Sequence, residues 1–396
     1  MSSQAFEAEF QELLATIPEA LSCLAESGDQ PPVDATDAAR HSLEHPLDFP
    51  ALRQAVIPDD RITLAVDPNI PDLLSLLRGV FQILQSLHPG GVTVLLSEEA
   101  SDQTVELLRK NLPQDAEIAR HAADQRESLS YLAANESGDP LYLHRALVQA
   151  DFVLPIVVAR PAGRLDPAWS AGGLSPGFAD VTSRRRFGYD RQHGRSGADA
   201  EASAVTWLLG VQMLLVAVPN RQGELQRILA GTPVGIANEL STSQRFAAAE
   251  GSTGGDKKDN DLVVAVISGD QQQQSWQNVA RSLQAAQRRL RPGGTVAVIS
   301  QVSTPARGSL GWLQTQQTSN EQQIRKELSK QHDRYSHAAA TLLDAQQEGR
   351  VLLLSRLPED EVEQLGFGVI DSVAGLKRLI QQHDQVCVLS SAQFSD

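Results

Sequence analysis

The chain has 396 residues, of which 41% are apolar and 5% aromatic, as in ordinary globular proteins. This length is about two to three times that of a typical domain, so we expect two folded cores. Lysine and arginine total 34 against 49 acidic residues, a formal net charge of −15. Such a surface repels phosphate backbones and anionic lipid, so we expect neither a nucleic-acid nor a membrane partner.

The cysteines and the first residues bear on compartment and metal chemistry. Cys23 and Cys387 lie near opposite ends of the chain, without the spacing of a cysteine zinc site. Residues 1–9 carry acids where a signal peptide carries lysine or arginine, and no apolar run reaches the roughly 18 residues that span a bilayer. We therefore expect a cytoplasmic protein; the sequence does not indicate its oligomeric state.

Short apolar runs alternate with longer amphipathic ones in the first part of the chain. We predict an N-terminal helix and linker over residues 1–40 and an α/β domain over 41–249, because this alternation is the βαβ rhythm of a parallel sheet. The predicted elements of this domain are strands at 62–66, 92–97 and 152–158 and helices at 72–87, 102–111 and 224–230.

Residues 250–261 combine Gly, Ser, Thr and charged residues, which is a linker composition. Beyond it, 262–396 shows the same rhythm and predicts a second, smaller α/β domain. The fold class is therefore α/β, with two domains of mostly parallel sheet. The predicted elements after the linker are strands at 262–267, 295–300, 351–355 and 386–389 and helices at 273–290, 320–347 and 373–382.

Two segments of the first domain have compositions that suit a small anion. The glycine-rich segment 170–177 could present backbone N–H groups, since glycine allows close approach, although a plain loop has the same composition. The five arginines from Arg184 to Arg195 could hold a phosphate or carboxylate, although a solvated loop is also arginine-rich. The usual dinucleotide and P-loop fingerprints are absent.

Three blocks of the chain follow the order of pieces in a known enzyme family. The first ends in Asp67-Pro68-Asn69-Ile70-Pro71, the second contains Gly172-Gly173 and Pro176-Gly177, and the third is the strand, helix and Pro-Gly-Gly turn of 261–294. In this order the chain resembles the nickel-pincer lactate racemases. The resemblance, over about residues 46–389, implies two α/β domains with a cofactor between them.

The resemblance also implies which positions would carry the family's chemistry, and most of them hold other residues. Asp67 matches the family residue. Asn278 and Arg281 stand where the family has a glutamine and a lysine that contact substrate, and each resembles the residue it replaces as a hydrogen-bond donor. No histidine or lysine occurs from Arg160 to Gln192. The replaced positions are Gly172 for the cofactor-bearing lysine, Ile70 for a substrate-binding arginine, and Ala162, Gly188 and Ser101 for three histidines, of which one binds nickel and two are bases.

These replacements change the expected function. Racemisation needs a base on each face of the substrate, and nickel needs imidazole or soft ligands. We therefore expect a lactate racemase-like protein that has lost nickel-pincer activity, with no metal and no cofactor. A small anion is expected in the interdomain cleft. The expected contacts are Asn278, Arg281 and Asp67, with Gly172, Gly173, Gly177 and Arg186 in the loop that would face the anion.

Two enzymatic interpretations stay open beside this one. A rebuilt racemase or isomerase of a hydroxy acid could take its acid and base from Asp67, Asp166, Asp180 and Asp190. The turn at 289–296 looks like the helix-to-strand turn of class I methyltransferases, although their glycine-rich loop is missing after the early strands.

Overall fold

The computed structural model describes residues 31–161, 166–192, 195, 197–241, 259–316, 320–331 and 333–395. Within these residues the chain divides into an N-terminal unit, 31–241, and a C-terminal unit, 259–395. The predicted helix in 1–40 begins outside the described residues, and most of the predicted linker 250–261 lies outside them too. No helix in the described ranges is both long and apolar enough to cross a membrane.

A six-stranded sheet forms the centre of the N-terminal unit, in the order β3-β2-β1-β6-β7-β8. All neighbours are parallel except β7 and β8. The central strands are buried along almost their whole length because helices cover both faces, which explains their continuous apolar runs. The strands are β1 Arg61–Val66, β2 Gly91–Leu96, β3 Ala116–Arg120, β6 Phe152–Val158, β7 Leu214–Pro219 and β8 Leu225–Gly231, and a separate hairpin pairs β4 Leu129–Ala134 with β5 Pro140–His144.

Helices follow most strands of this unit. The first, α1 (Ala35–Glu44), packs closely on α3 (Leu73–Leu84), where Gly79 lets the backbone of Thr36 approach. The helices are α1 Ala35–Glu44, α2 Leu52–Ala55, α3 Leu73–Leu84, α4 Asp102–Asn111, α5 Arg145–Val148, the single turn α6 Leu174–Gly177, α7 Val181–Gln192, α8 Gly197–Leu208 and α9 Pro233–Ser241.

The predicted helix at 224–230 is wrong, because this segment is the edge strand β8. It pairs antiparallel with β7, and α1 covers it, with the Ser42 hydroxyl donating to the carbonyl of Ile228 at 2.5 Å. Arg227 is also paired with Glu239 of α9. Pairing with β7 therefore determines the structure of this segment, whatever its local helix preference. The sequence of the segment alone does not indicate that partner.

The C-terminal unit has a five-stranded, fully parallel sheet in the order β12-β11-β10-β9-β13. Strand β9 lies near its centre, and the buried side chains of one face form a continuous apolar core with α15. The strands are β9 Asn260–Val266, β10 Leu290–Ile299, β11 Arg350–Leu354, β12 Gly368–Val369 and β13 Val386–Leu389, and the helices are α10 Trp276–Gln287, α11 Gly308–Gln314, α12 Glu321–Leu328, α13 Ser336–Glu348, α14 Glu359–Gln364 and α15 Val373–Gln381.

The long helix predicted at 320–347 is wrong in one respect, because it is two helices, α12 and α13. Asp333, between them, accepts hydrogen bonds from the Ser309 amide at 2.9 Å and the Tyr335 amide at 2.8 Å. These contacts tie the connection to the start of α11, so the chain turns where its polar composition would also allow a continuous helix.

Both sheets reverse their strand order once, and this fixes where a ligand is expected. In the N-terminal unit the reversal falls between β1 and β6, and in the C-terminal unit between β9 and β13. Open α/β sheets bind ligands beyond the carboxyl ends of the strands at such a point. The fold class predicted from the sequence, two α/β units with mostly parallel sheets, is confirmed.

Candidate functional site

Charged and polar residues follow directly after three parallel strands of the N-terminal unit. Asp67 comes after β1, Glu98 and Glu99 come soon after β2, and Arg160 follows β6. Because the strands are parallel and in register, these residues meet at the carboxyl end of the sheet. Within this unit, this end is the candidate site.

Arg160 is at the centre of the site, with only 5% of its side chain exposed. Its guanidinium is paired with Asp67 and lies 3.1 Å from a carboxylate oxygen of Asp166. Asn69 connects this group to the next strand, since its amide nitrogen donates to Asp67 at 3.1 Å and to Glu99 at 2.8 Å. The site is therefore a hydrogen-bonded network of one arginine, one asparagine and three carboxylates.

The predicted arginine cluster lies on α7 and in the turn after it, and most of its members have carboxylate partners. Arg186 forks onto Glu201 of α8, with nitrogen–oxygen distances of 2.9 and 3.0 Å. An anion would therefore have to compete with carboxylates already in place. The other pairs are Arg184 with Glu98, Arg191 with Asp199, and Arg195 with Asp190, whereas the Arg185 side chain is exposed.

The glycine-rich segment forms two tight turns. Gly172 and Gly173 both have left-handed backbone conformations, with φ of 67° and 64°. The amide of Gly172 donates to the Trp169 carbonyl at 2.9 Å, and that of Ala171 donates to Ala168 at 2.9 Å. These two N–H groups serve the turn itself. Gly177 ends the helical turn α6.

The four aspartates considered for a rebuilt catalytic site do not share one place. Asp67 and Asp166 meet at Arg160. Asp180 instead accepts hydrogen bonds from the amides of Thr182 and Ser183, at 3.1 and 3.2 Å, at the start of α7. Asp190 lies near the other end of that helix, beside Arg195.

Two histidines that the sequence did not single out are buried next to the site. His121 follows β3 and has 1% of its surface exposed, and His144 ends β5. Their rings are 5.8 Å apart in an edge-to-face arrangement. Burial lowers the pKa of His121 to about 3 and also lowers that of His144, because a charged ring cannot be solvated there.

At the carboxyl end of the C-terminal sheet, side-chain amides and hydroxyls connect the strand ends. The Gln274 side-chain oxygen accepts from the Ser300 hydroxyl at 2.9 Å and from the Gln301 amide at 2.7 Å. Gln393, beyond β13, donates to the Ser268 carbonyl at 2.7 Å and so connects the two strands at the reversal. These bonds satisfy backbone groups at the strand ends.

Asn278 and Arg281, the two predicted substrate contacts, lie in the first turns of α10, close to this end of the sheet. Arg281 is 7% exposed and donates to the Asn278 side-chain oxygen at 2.9 Å. The amide nitrogen of Asn278 donates in turn to the Gln273 carbonyl at 2.8 Å. The structure therefore brings these two residues together in one unit, with Asp67 in the other.

The comparisons with known proteins give a fold and no family. No family model matches the chain, and no curated protein matches it in sequence. The lactate racemase apoprotein from Thermoanaerobacterium thermosaccharolyticum has a similar structure, with a TM-score of 0.69 and 12% identity over 96% of each chain. A protein from Thermotoga maritima matches with a TM-score of 0.67 and 12% identity, over 93% of this chain and all of that one. The chain therefore has a lactate racemase-like fold.

The residues at the candidate site do not fit a nickel-pincer nucleotide. At Gly172, a Cβ would lie 3.1 Å from a side-chain carbon of Pro155 and 3.3 Å from one of Leu214, so a lysine would meet packed side chains. In the parts of the chain that the structure describes, no three His, Cys, Asp or Glu side chains are grouped to hold a metal ion. Gly188 lies in α7, and Ala162 is outside the described residues.

Arg160 and its neighbours were missed by the sequence analysis, although a signal was present. Each of Glu98, Glu99 and Arg160 follows an apolar run that was correctly predicted as a strand. Charged residues at the carboxyl ends of neighbouring parallel strands meet in space, so these could have been grouped with Asp67. His121 gave no such signal, because the strand before it, β3, was not predicted.

Proposed function

We propose that this chain is a lactate racemase-like protein without nickel-pincer racemase activity. The observation that carries the proposal is the distribution of lysine. Residues 28–250 contain one lysine, Lys110, whose side chain is 69% exposed on α4 and paired with Glu106 at 3.3 Å. The position that the resemblance assigns to the cofactor lysine is a buried, left-handed glycine. A covalent adduct at this sheet has no amine to form on.

The test is to produce the chain in cells that make the nickel-pincer cofactor. We expect its intact mass to equal the sequence mass, nickel to be far below one equivalent, and D- and L-lactate not to interconvert. A lactate racemase produced in the same cells is the positive control and should carry both the added mass and the metal. An added nucleotide mass on this chain, or stoichiometric nickel, would refute the proposal.

We also propose that the chain binds a small carboxylate through Arg281 and Asn278. Three features support this choice over the α7 arginines. The guanidinium is oriented by Asn278, the pair lies near the carboxyl end of β9, and the Asn278 side chain is itself held by the Gln273 carbonyl. An arginine held in this way is suited to a carboxylate, since the fork geometries match.

Titration calorimetry with lactate, pyruvate and malonate tests this proposal. Replacing Arg281 by Ala removes a charge-assisted contact of about 1.5 to 3 kcal/mol, so we expect a roughly ten- to hundredfold loss of affinity. Arg291→Ala is the control, because Arg291 is half exposed and paired with Asp261 after the end of the same helix. Equal affinity in Arg281→Ala and wild type, or no binding of any probe by wild type, would contradict the proposal.

A further inference from the structure

The turn between α6 and α7, residues 178–180, is attached to strand β5 of the β4–β5 hairpin by backbone bonds and to the end of β3 by one side chain. The amide of His144 donates to the Phe178 carbonyl at 3.0 Å, and the amide of Asp180 donates to the Tyr142 carbonyl at 3.1 Å. Between them, the Ala179 carbonyl accepts from Nε2 of His121 at 3.0 Å. This bond joins the end of β3 to the start of α7.

The bond to Ala179 fixes the tautomer of the neutral His121 ring. A carbonyl only accepts, so Nε2 carries the hydrogen and Nδ1 carries the lone pair. Nδ1 is buried and has no hydrogen-bond partner among the described residues. A second proton there would therefore be buried without an acceptor.

Beyond burial, the Ala179 carbonyl favours a positive charge on the ring, whereas two neighbouring side chains oppose it. Arg184 of α7 and the His144 ring both disfavour protonation of His121. Arg184 is itself paired with Glu98 after β2. The other charged groups near the histidines are Arg145 of α5 and Glu117 of β3, which act on His144, and Asp180, whose carboxylate bonds the first amides of α7.

We propose that His121 is an acid-sensitive latch that holds the α6–α7 turn, and with it the helix that carries Arg184, against the carboxyl end of the N-terminal sheet. In its neutral form the ring donates to Ala179 and the latch is closed. Protonation in the opened state leaves the ring in water, where its charge is solvated. Acid therefore favours opening of the turn and separation of Arg184 from Glu98.

The pH window follows from the direction of the shift. Burial lowers the pKa of His121 from 6.5 to about 3, so the opened state binds more protons than the closed state between these values. The equilibrium constant for closing is largest above about pH 6.5. Below that value it falls by up to about tenfold per pH unit. Measurements between pH 6.5 and 5 lie above the range in which ordinary carboxylates titrate.

Hydrogen exchange measured by mass spectrometry or NMR on the full chain tests the latch. After correction for the intrinsic exchange rate, we expect the protection of the 179–184 amides to fall roughly tenfold or more between pH 6.5 and 5. Amides of α3, in the same unit, should change much less. In His121→Gln, which keeps an N–H donor but does not titrate, the 179–184 amides should show no such dependence. His144→Gln should retain it.

Three outcomes would overturn the latch. Protection of 179–184 that does not change with pH in wild type would show that His121 does not control the turn. If the 179–184 amides of His121→Gln lose protection with falling pH as steeply as in wild type, the effect belongs to another group. If the α3 amides of wild type lose protection as steeply as 179–184, acid opens the whole unit. The comparison with α3 needs only the wild-type chain, so it remains available if the variant does not fold.

Discussion

Arg160 shows how one buried side chain can determine the character of a site. It pairs with Asp67, which follows β1, and with Asp166, which follows β6. These are the two strands at the reversal of strand order, where an α/β sheet usually binds its ligand. The two carboxylates are mostly buried, with side chains 20% and 17% exposed. The guanidinium between them offsets part of the cost of burying their charges.

Removing that guanidinium should therefore destabilise the N-terminal unit. We expect Arg160→Ala to lower the free energy of unfolding by about 3 kcal/mol, since it leaves two mostly buried carboxylates without their cation. Urea denaturation of wild type and variant measures the difference. Arg61→Ala is the matched control, because its ion pair with Asp151 is largely exposed and should contribute little. Equal midpoints for the two variants would show that the Arg160 network does not stabilise the fold.

At the scale of elements, helix packing depends on single close approaches. Helices α1 and α3 are in contact at Gly79, where a Cβ would lie 2.3 Å from the Thr36 carbonyl oxygen and 3.0 Å from the Ala39 Cβ. The carbonyl belongs to the first turn of α1, so it cannot move without moving that helix. The absence of a side chain is what allows the two helices to pack at this distance.

Gly79→Ala should therefore force the two helices apart, although alanine has the higher helix propensity. We expect a loss of about 1 to 3 kcal/mol in the free energy of unfolding, the usual cost of an overpacked contact. Gly91→Ala is the control, because a Cβ at Gly91 meets nothing within 4 Å. Thermal melts of both variants would decide the matter, and a Gly79→Ala melt at or above wild type would contradict this account.

The strands and helices also show how much of the structure the sequence could predict. Strands β1, β2, β6 and β13 and helices α3, α4 and α15 were predicted to within a few residues, because their apolar periodicity is local. Strand β8 and the break between α12 and α13 were not, since each depends on a distant partner. For the site, Asp67, Asn278 and Arg281 were named. Arg160 was overlooked although it follows a predicted strand, whereas His121 became visible only once the strands were ordered in space.

At the scale of the whole molecule, the two units share a sheet architecture and differ in what lies at its carboxyl end. The N-terminal unit places ion pairs there, and the C-terminal unit places glutamine and serine side chains. The buried His121 lies beside the first arrangement, and Arg281 lies beside the second. The acid response is therefore assigned to the N-terminal unit and the small carboxylate to the C-terminal one.

The scarcity of lysine has a practical consequence. Within residues 28–250, an amine-reactive dye would label Lys110 alone, and the side chain of Lys110 is exposed on α4. A protease that cleaves after lysine would cut once at Lys110 and next at Lys257, and would release 111–257 as one piece. That fragment carries the entire region from β3 to α9, with His121, Arg160 and the α7 arginines together. Residues 28–250 thus contain a single lysine for attachment of a fluorophore. The 111–257 fragment allows the mass of an unexpected covalent modification of the site to be measured directly.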